Sequence, residues 1–187
     1  MKTLVYVLLS AVAVTCFSLS AAAQEGAAGN SYTPFMFSFA TPLQVPTSDF
    51  DVGGLRINII YGECKNFDGL DISALVGRST GHANGLQIAG IANVADGDGM
   101  GLQVACVNHV SGSYAGLQIG LANIAAMNSR AQAQVLQIGV YNGSEYIKGC
   151  QIGVINFARE MIGMQIGVVN VIQNKDVPFL PIINGYF

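Results

Sequence analysis

The groups with which this chain could do chemistry are few and scattered. His82 and His109 are its two histidines. Neither has a cysteine or carboxylate at metal-ligand spacing in the sequence, so each reads as a solvated turn residue rather than a ligand. Asp96 and Asp98 share the glycine-rich run "ADGDGMG". Oxygen-rich turns hold calcium, but two carboxylates without a longer ligand loop fall short of a site. Ser111, Ser113 and Tyr114 have no acid to complete a triad, and there is no Gly-x-Ser-x-Gly elbow, Walker loop or dinucleotide fingerprint. Cys64, Cys106 and Cys150 form an odd set at unrelated positions with no C-x-x-C motif. They read as small apolar fillers, with one disulfide plus a free thiol as the alternative. Tyr141, Tyr146 and Tyr186 suit core or rim packing better than a binding face. Asn142-Gly143-Ser144 is a glycosylation acceptor only in a eukaryotic secretory route. The sequence therefore offers no catalytic, cofactor-binding or metal residue, and the expectation is a protein that is not an enzyme.

Charge narrows the partners. The chain carries 8 basic and 11 acidic side chains, a net charge of −3, without a basic run, so nucleic acid has no electrostatic foothold. Only 10% of residues are charged, against roughly a quarter in typical soluble proteins. Such a chain buries an unusual share of itself, stacks on itself, or sits in lipid.

The elements that would position these residues begin after a leader. Lys2, the apolar stretch over 4–19 and Ala21-Ala22-Ala23 have the order of a signal peptide, with cleavage after Ala23 and a mature chain starting at Gln24. The apolar stretch is short for a spanning helix. Cys16 lacks the preceding leucine of a lipoprotein site.

Beyond the leader the chain repeats. Units start at Gly54, Gly69, Gly85, Gly101, Gly116, Val135, Gly149 and Gly163, 14 to 19 residues apart, and "PFLPIIN" at 178–184 reads as a degenerate ninth. The shared pattern is Gly-Leu-Gln-Ile-Gly-x-x-Asn. Gln at the third position is flanked by Leu and Ile, which is the period-two alternation of a strand. Spacers such as "NVADGDGM" and "NGSEYIK" carry turn residues. The one insertion is "IAAMNSRAQAQ", before Val135.

These features predict an all-β array of eight to nine units of 14–16 residues, folded as a parallel β-solenoid. Stacked coils would place Gln over Gln and Asn over Asn about 4.8 Å apart, each amide pairing with the next. Leu over Leu and Ile over Ile would form the core stripes. Gly at the fifth position would let the chain bend or let a neighbour approach. The alternative is a small antiparallel outer-membrane β-barrel or meander, with Leu and Ile toward lipid, Gln toward a lumen, and an anchoring or pore function. The expected organisation is a leader over 1–23, an N-terminal strand and cap over 24–53, the array over 54–177, and a capping segment over 178–187. Phe35, Phe37 and Phe39 mark the N-terminal strand, with Pro42 and Pro46 ending it. In the first two units Arg56 and Asp71 replace Gln, which would break the amide column. A charged side chain there reads as solvated, and an exposed salt bridge between the two would be worth little.

The repeated pattern, behind a leader and ending in "PFLPIIN" and a terminal Phe, resembles the bacterial surface repeat-containing proteins over Pro34 to Phe187. The resemblance implies export in a Gram-negative bacterium and a place at the cell surface or outer membrane. It implies a structural or interaction role and no established activity. The partner would be an unknown surface or envelope component, with outer-membrane association and self-association both open.

Overall fold

The computed structural model describes residues 31–128 and 131–187. The leader, the proposed start at Gln24 and Cys16 lie outside them. Among the described residues every regular element is a strand: β1 (Tyr32–Ala40), β2 (Leu43–Val45), β3 (Asp51–Cys64), β4 (Asn66–Ser73), β5 (Val76–Ser79), β6 (Ala83–Ala89), β7 (Ala92–Ala95), β8 (Gly99–Val104), β9 (Val107–Val110), β10 (Tyr114–Ala125), β11 (Ala133–Ile172) and β12 (Phe179–Tyr186). They build an all-β parallel solenoid of about seven turns with a spacing near 16 residues.

Each coil has a long arm, a corner and a short arm. Long arms of β3, β4, β6, β8, β10 and β11 pair in parallel, with Leu55, Leu70, Leu86, Leu102, Leu117 and Leu136 side by side. Short arms stack the same way through Val76, Ala92, Val107 and Ala122. The antiparallel barrel or meander is thus not what these repeats form. The 19-residue interval is absorbed between β10 and β11 without loss of register: Gln118 still faces Gln137, and Asn123 faces Asn142.

The motif glycine has a steric cause. Gly116 sits at φ 142°, and a Cβ there would lie 1.9 Å from the carbonyl oxygen of Gly101 in the preceding coil. No L side chain fits both that conformation and that contact.

The expectation of Leu and Ile core stripes is overturned. Gln and Asn point inward and are fully enclosed, whereas Leu is half-buried and most of the Ile column is exposed. Alternation permits only one set inside, and the narrow interior takes the set that can bond to its own copies. The apolar inner residues are instead Ala83, Ala95, Val110, Tyr114, Ala125, Ala133, Ile147, Ala158 and Met161, toward the turn end of the coils.

Both ends are closed by strands. β1 runs parallel to β3, so Phe35 and Phe37 extend the outer Leu and Ile columns while Met36 lies beside Arg56. Met36 packs inside with Val52, Cys64 and Phe67. β12 pairs antiparallel with β11. "PFLPIIN" is therefore a cap that turns back, not a ninth coil. Asn184 in it is buried and donates to the Asn170 carbonyl at 3.3 Å.

Candidate functional site

Two amide columns run through the interior. Gln103 donates to Gln87, Gln118 to Gln103, Gln137 to Gln118 and Gln151 to Gln137, each at 2.8 Å, and Gln165 to Gln151 at 2.7 Å. The second column runs the other way: Asn93 donates to Asn108, Asn108 to Asn123, Asn123 to Asn142, Asn142 to Asn156 and Asn156 to Asn170, at 2.7–3.0 Å. The opposed directions cancel much of the dipole that either column alone would accumulate. The other Asn N–H reaches the carbonyl of the fourth-position residue in the next coil, as from Asn108 to Ile119 at 2.9 Å and Asn142 to Ile152 at 3.0 Å. Asn thus fastens the corner. Unpaired buried atoms mark the column ends: Gln87 Nε2, Asn93 Oδ1 and Gln165 Oε1.

Small residues at the fifth position follow from the Asn column. A Cβ on Gly153 would lie 2.6 Å from Asn142 Nδ2 and 2.4 Å from the Gly139 carbonyl oxygen. The first two coils reverse the arrangement. There Asn58 and Ser73 hold the fifth position, and Gly62 and Gly77 face them from the short arm, where a Cβ would collide with those side chains. The interior has room for one polar side chain at this level, supplied from either arm.

Arg56 and Asp71 are not solvated, as the sequence suggested, but wholly enclosed, 2.5 Å apart. The guanidinium also donates to Cys64 Sγ and the Arg78 carbonyl, both at 2.8 Å, and lies 4.7 Å from the centre of the Phe67 ring. Asp71 accepts from Asn58 at 3.0 Å and Ser73 at 3.1 Å. Burial opposes the Arg56 charge, but Asp71 and Cys64 outweigh it and hold the group above its ordinary range. Burial pushes the Cys64 thiol up. The partners in this cluster are all internal, and Arg56 Nε and Asn58 Oδ1 are buried without one.

The remaining singled-out residues stay apart. His82 meets Asp68 at 2.8 Å, a carboxylate one coil away that no sequence spacing suggested. His109 bonds Ser111 at 3.0 Å. Asp96 pairs with Arg78 at 2.6 Å, and Asp98 accepts from the Ser113 amide at 2.7 Å. No three His, Cys, Asp or Glu gather among the described residues. Tyr114 is buried, its hydroxyl donating to the Gly101 carbonyl at 2.9 Å. Tyr141 and Tyr186 are exposed, and Tyr146 is half-buried. Cys64 is buried, Cys106 exposed, Cys150 intermediate, and all three are free.

The surface is where the molecule differs most from an ordinary one. Four outward columns, led by Leu55, Ile57, the corner pair Ile59 and Ile60, and Tyr61, contain no charged residue in any coil. Exposure is high at the corner: 61% for Leu121 and 66% for Val168. The charges that reach solvent, including Asp68, Arg78, Asp96, Glu145, Lys148 and Arg159, lie outside those columns, toward the turns. Sequence reasoning missed this face by assigning Leu and Ile to the core. The signal was present: Gln and Asn hardly vary, whereas the corner varies freely among Ile, Leu, Cys and Val. No protein-family model, curated protein or solved structure matches this chain, so its own geometry carries the functional reading.

Proposed function

We propose that this protein is an exported, non-catalytic structural or interaction protein of the Gram-negative envelope, held at the cell surface or outer membrane through its uncharged outer face. The observation that carries this reading is the division of the outer surface into uncharged columns around the corner and charged positions, such as Asp68 and Arg78, farther along the arms. The largest apolar patch on a monomeric soluble protein, typically about 300–600 Å², is often a functional surface. The resemblance to the bacterial surface repeat-containing proteins supports the same location. The buried ionisable groups Arg56 and Asp71 bond to each other and to internal neighbours and reach no solvent, which supports a role without catalysis. The test is expression in a Gram-negative host with and without residues 2–23, followed by fractionation and N-terminal sequencing. The expected result is envelope material beginning at Gln24. Recovery in the cytosol with Met1 intact would overturn the reading.

A further inference from the structure

The apolar columns do not form a flat face. They run along the outer side of the long arm, round the corner, and onto the short arm, through Leu117, Ile119, Leu121 and Ala122 in one coil. The eight rungs from Arg56 to Gln165 give seven steps of ~4.8 Å, so the strip is ~34 Å long. Four residues on the long-arm side make it ~13 Å wide there, roughly 450 Å². A stable pair of proteins buries about 800 Å² on each partner. A second copy laid flat on one arm would fall short of that and leave the other arm in water. A fluid of hydrocarbon chains covers both sides of a convex edge.

Hydrocarbon demands, as water does not, that backbone N–H groups be paired, and most N–H groups at the corner are, those of Leu75 and Cys106 being the exceptions. Ala74 N–H donates to the Asn58 carbonyl at 2.8 Å, Ile91 to Leu75 at 2.9 Å, Val107 to Ile91 at 2.8 Å, and Leu121 to Cys106 at 2.9 Å. The Asn column takes up fourth-position carbonyls from within, as Asn123 does for Ile138 at 2.9 Å. An ordinary exposed loop leaves such groups to solvent. The corner side chains also vary in size from Cys106 to Leu121, which a tight zipper between two copies would not tolerate and acyl chains would.

We propose that this edge is a lipid-facing wedge: the solenoid lies with its axis in the plane of a membrane leaflet, its corner among the acyl chains and its charged turns in water. The proposal names the partner of the envelope reading above and rests on it for where that membrane is met. The net charge of −3 and the lack of a basic run make insertion independent of anionic lipid and insensitive to salt. The corner should sit ~5–10 Å below the headgroups, as an interfacial amphipathic element does.

The chain has no tryptophan, so one placed by substitution reports its own depth. Full-length Leu121→Trp, at the corner, and Gln132→Trp, in the spacer before β11, are mixed with phosphatidylcholine vesicles carrying brominated acyl chains, in low and high salt. The apolar leader over 4–19 is able to float the chain unaided, so the readout is quenching at each reporter rather than flotation. Fluorescence of the corner reporter should be quenched severalfold more than that of the spacer reporter, equally in both salts. Adding Val140→Glu and Val154→Glu, both outward and exposed, to the Leu121→Trp chain should lower that quenching about tenfold while the melting curve is kept. Equal quenching at the two reporters overturns the wedge. So does a concentration-dependent dimer that shields the corner reporter without vesicles, which would make the occupant a second copy. Loss of selective quenching in a chain that still fractionates with the envelope defeats the wedge alone. Selective quenching in a chain recovered from the cytosol defeats the envelope reading alone.

Discussion

The coils that begin at Gly54 and Gly69 enclose the same inner space as those from Gly85 onward, but with different chemistry. The first two use an ion pair, with Arg56 and Asp71 supported by Cys64, Asn58 and Ser73. The later six use one amide repeated. An amide carries donor and acceptor together, so a Gln column satisfies itself over any number of coils and leaves a deficit only at its ends. An ion pair is complete at two members and cannot be extended. The difference shows at the junction: Asp71 lies beside Gln87 in register, yet Gln87 Nε2 has no partner. Asp71 already has Arg56, Asn58 and Ser73 around it. The charged cluster therefore ends the column, while the amide column has no preferred length of its own.

The sharpest way to break this comparison is Arg56→Leu. It leaves a carboxylate enclosed without its counter-ion, and the expected loss is about 3–5 kcal/mol in denaturant unfolding. A loss below ~1 kcal/mol would mean that water reaches Asp71. Next comes Gln118→Leu, in mid-column. It strands Gln103 Oε1 and Gln137 Nε2 together and should cost about 2–4 kcal/mol. Gln165→Leu, which breaks one link at the column end, should cost about half as much, and equal losses would argue against a ladder. Replacing both charges, with Arg56→Gln and Asp71→Gln in one chain, sharpens the comparison by extending the column through the first coils. Removing both members of a buried pair is often near neutral, so this chain should lie within ~1.5 kcal/mol of the parent and well above Arg56→Leu alone. A double variant no better than the single would show that the first coils are shaped for charge and not merely filled by it.

The smallest effect belongs to the surface. Burial pushes the Asp68 carboxyl up, but hydrogen bonds from His82 and Asn84 outweigh it and leave the group below its ordinary range. A carboxyl depressed by folding adds stability above its unfolded pKa and loses it as pH falls through the folded value. Asp68→Asn should therefore lower the melting temperature slightly near neutral pH, and the difference should vanish in strong acid. Because the pair is exposed, its contribution is a fraction of 1 kcal/mol. A larger difference in acid than at neutral pH would reverse the assigned sign.

What the sequence by itself determined was the stacking. Gln-to-Gln and Asn-to-Asn spacings of 14 to 19 residues, with strand alternation between them, specify coils in parallel register, because only that arrangement gives each amide an identical neighbour. The motif glycine is legible for a similar reason, since a column of glycines marks a close approach of backbones. Tertiary structure alone decided which side of each strand faces inward. Alternation is symmetric, and the preference for burying Leu and Ile selects the wrong side. The closed coil selects by volume and by hydrogen bonding: a Cβ on Gly153 would lie only 2.6 Å from the Asn142 amide nitrogen. Tertiary structure also brought Arg56 and Asp71, 15 residues apart, into one dry enclosure with Cys64. Side by side in register, the two charges cancel, and a pair that looks solvated in the chain is fully enclosed.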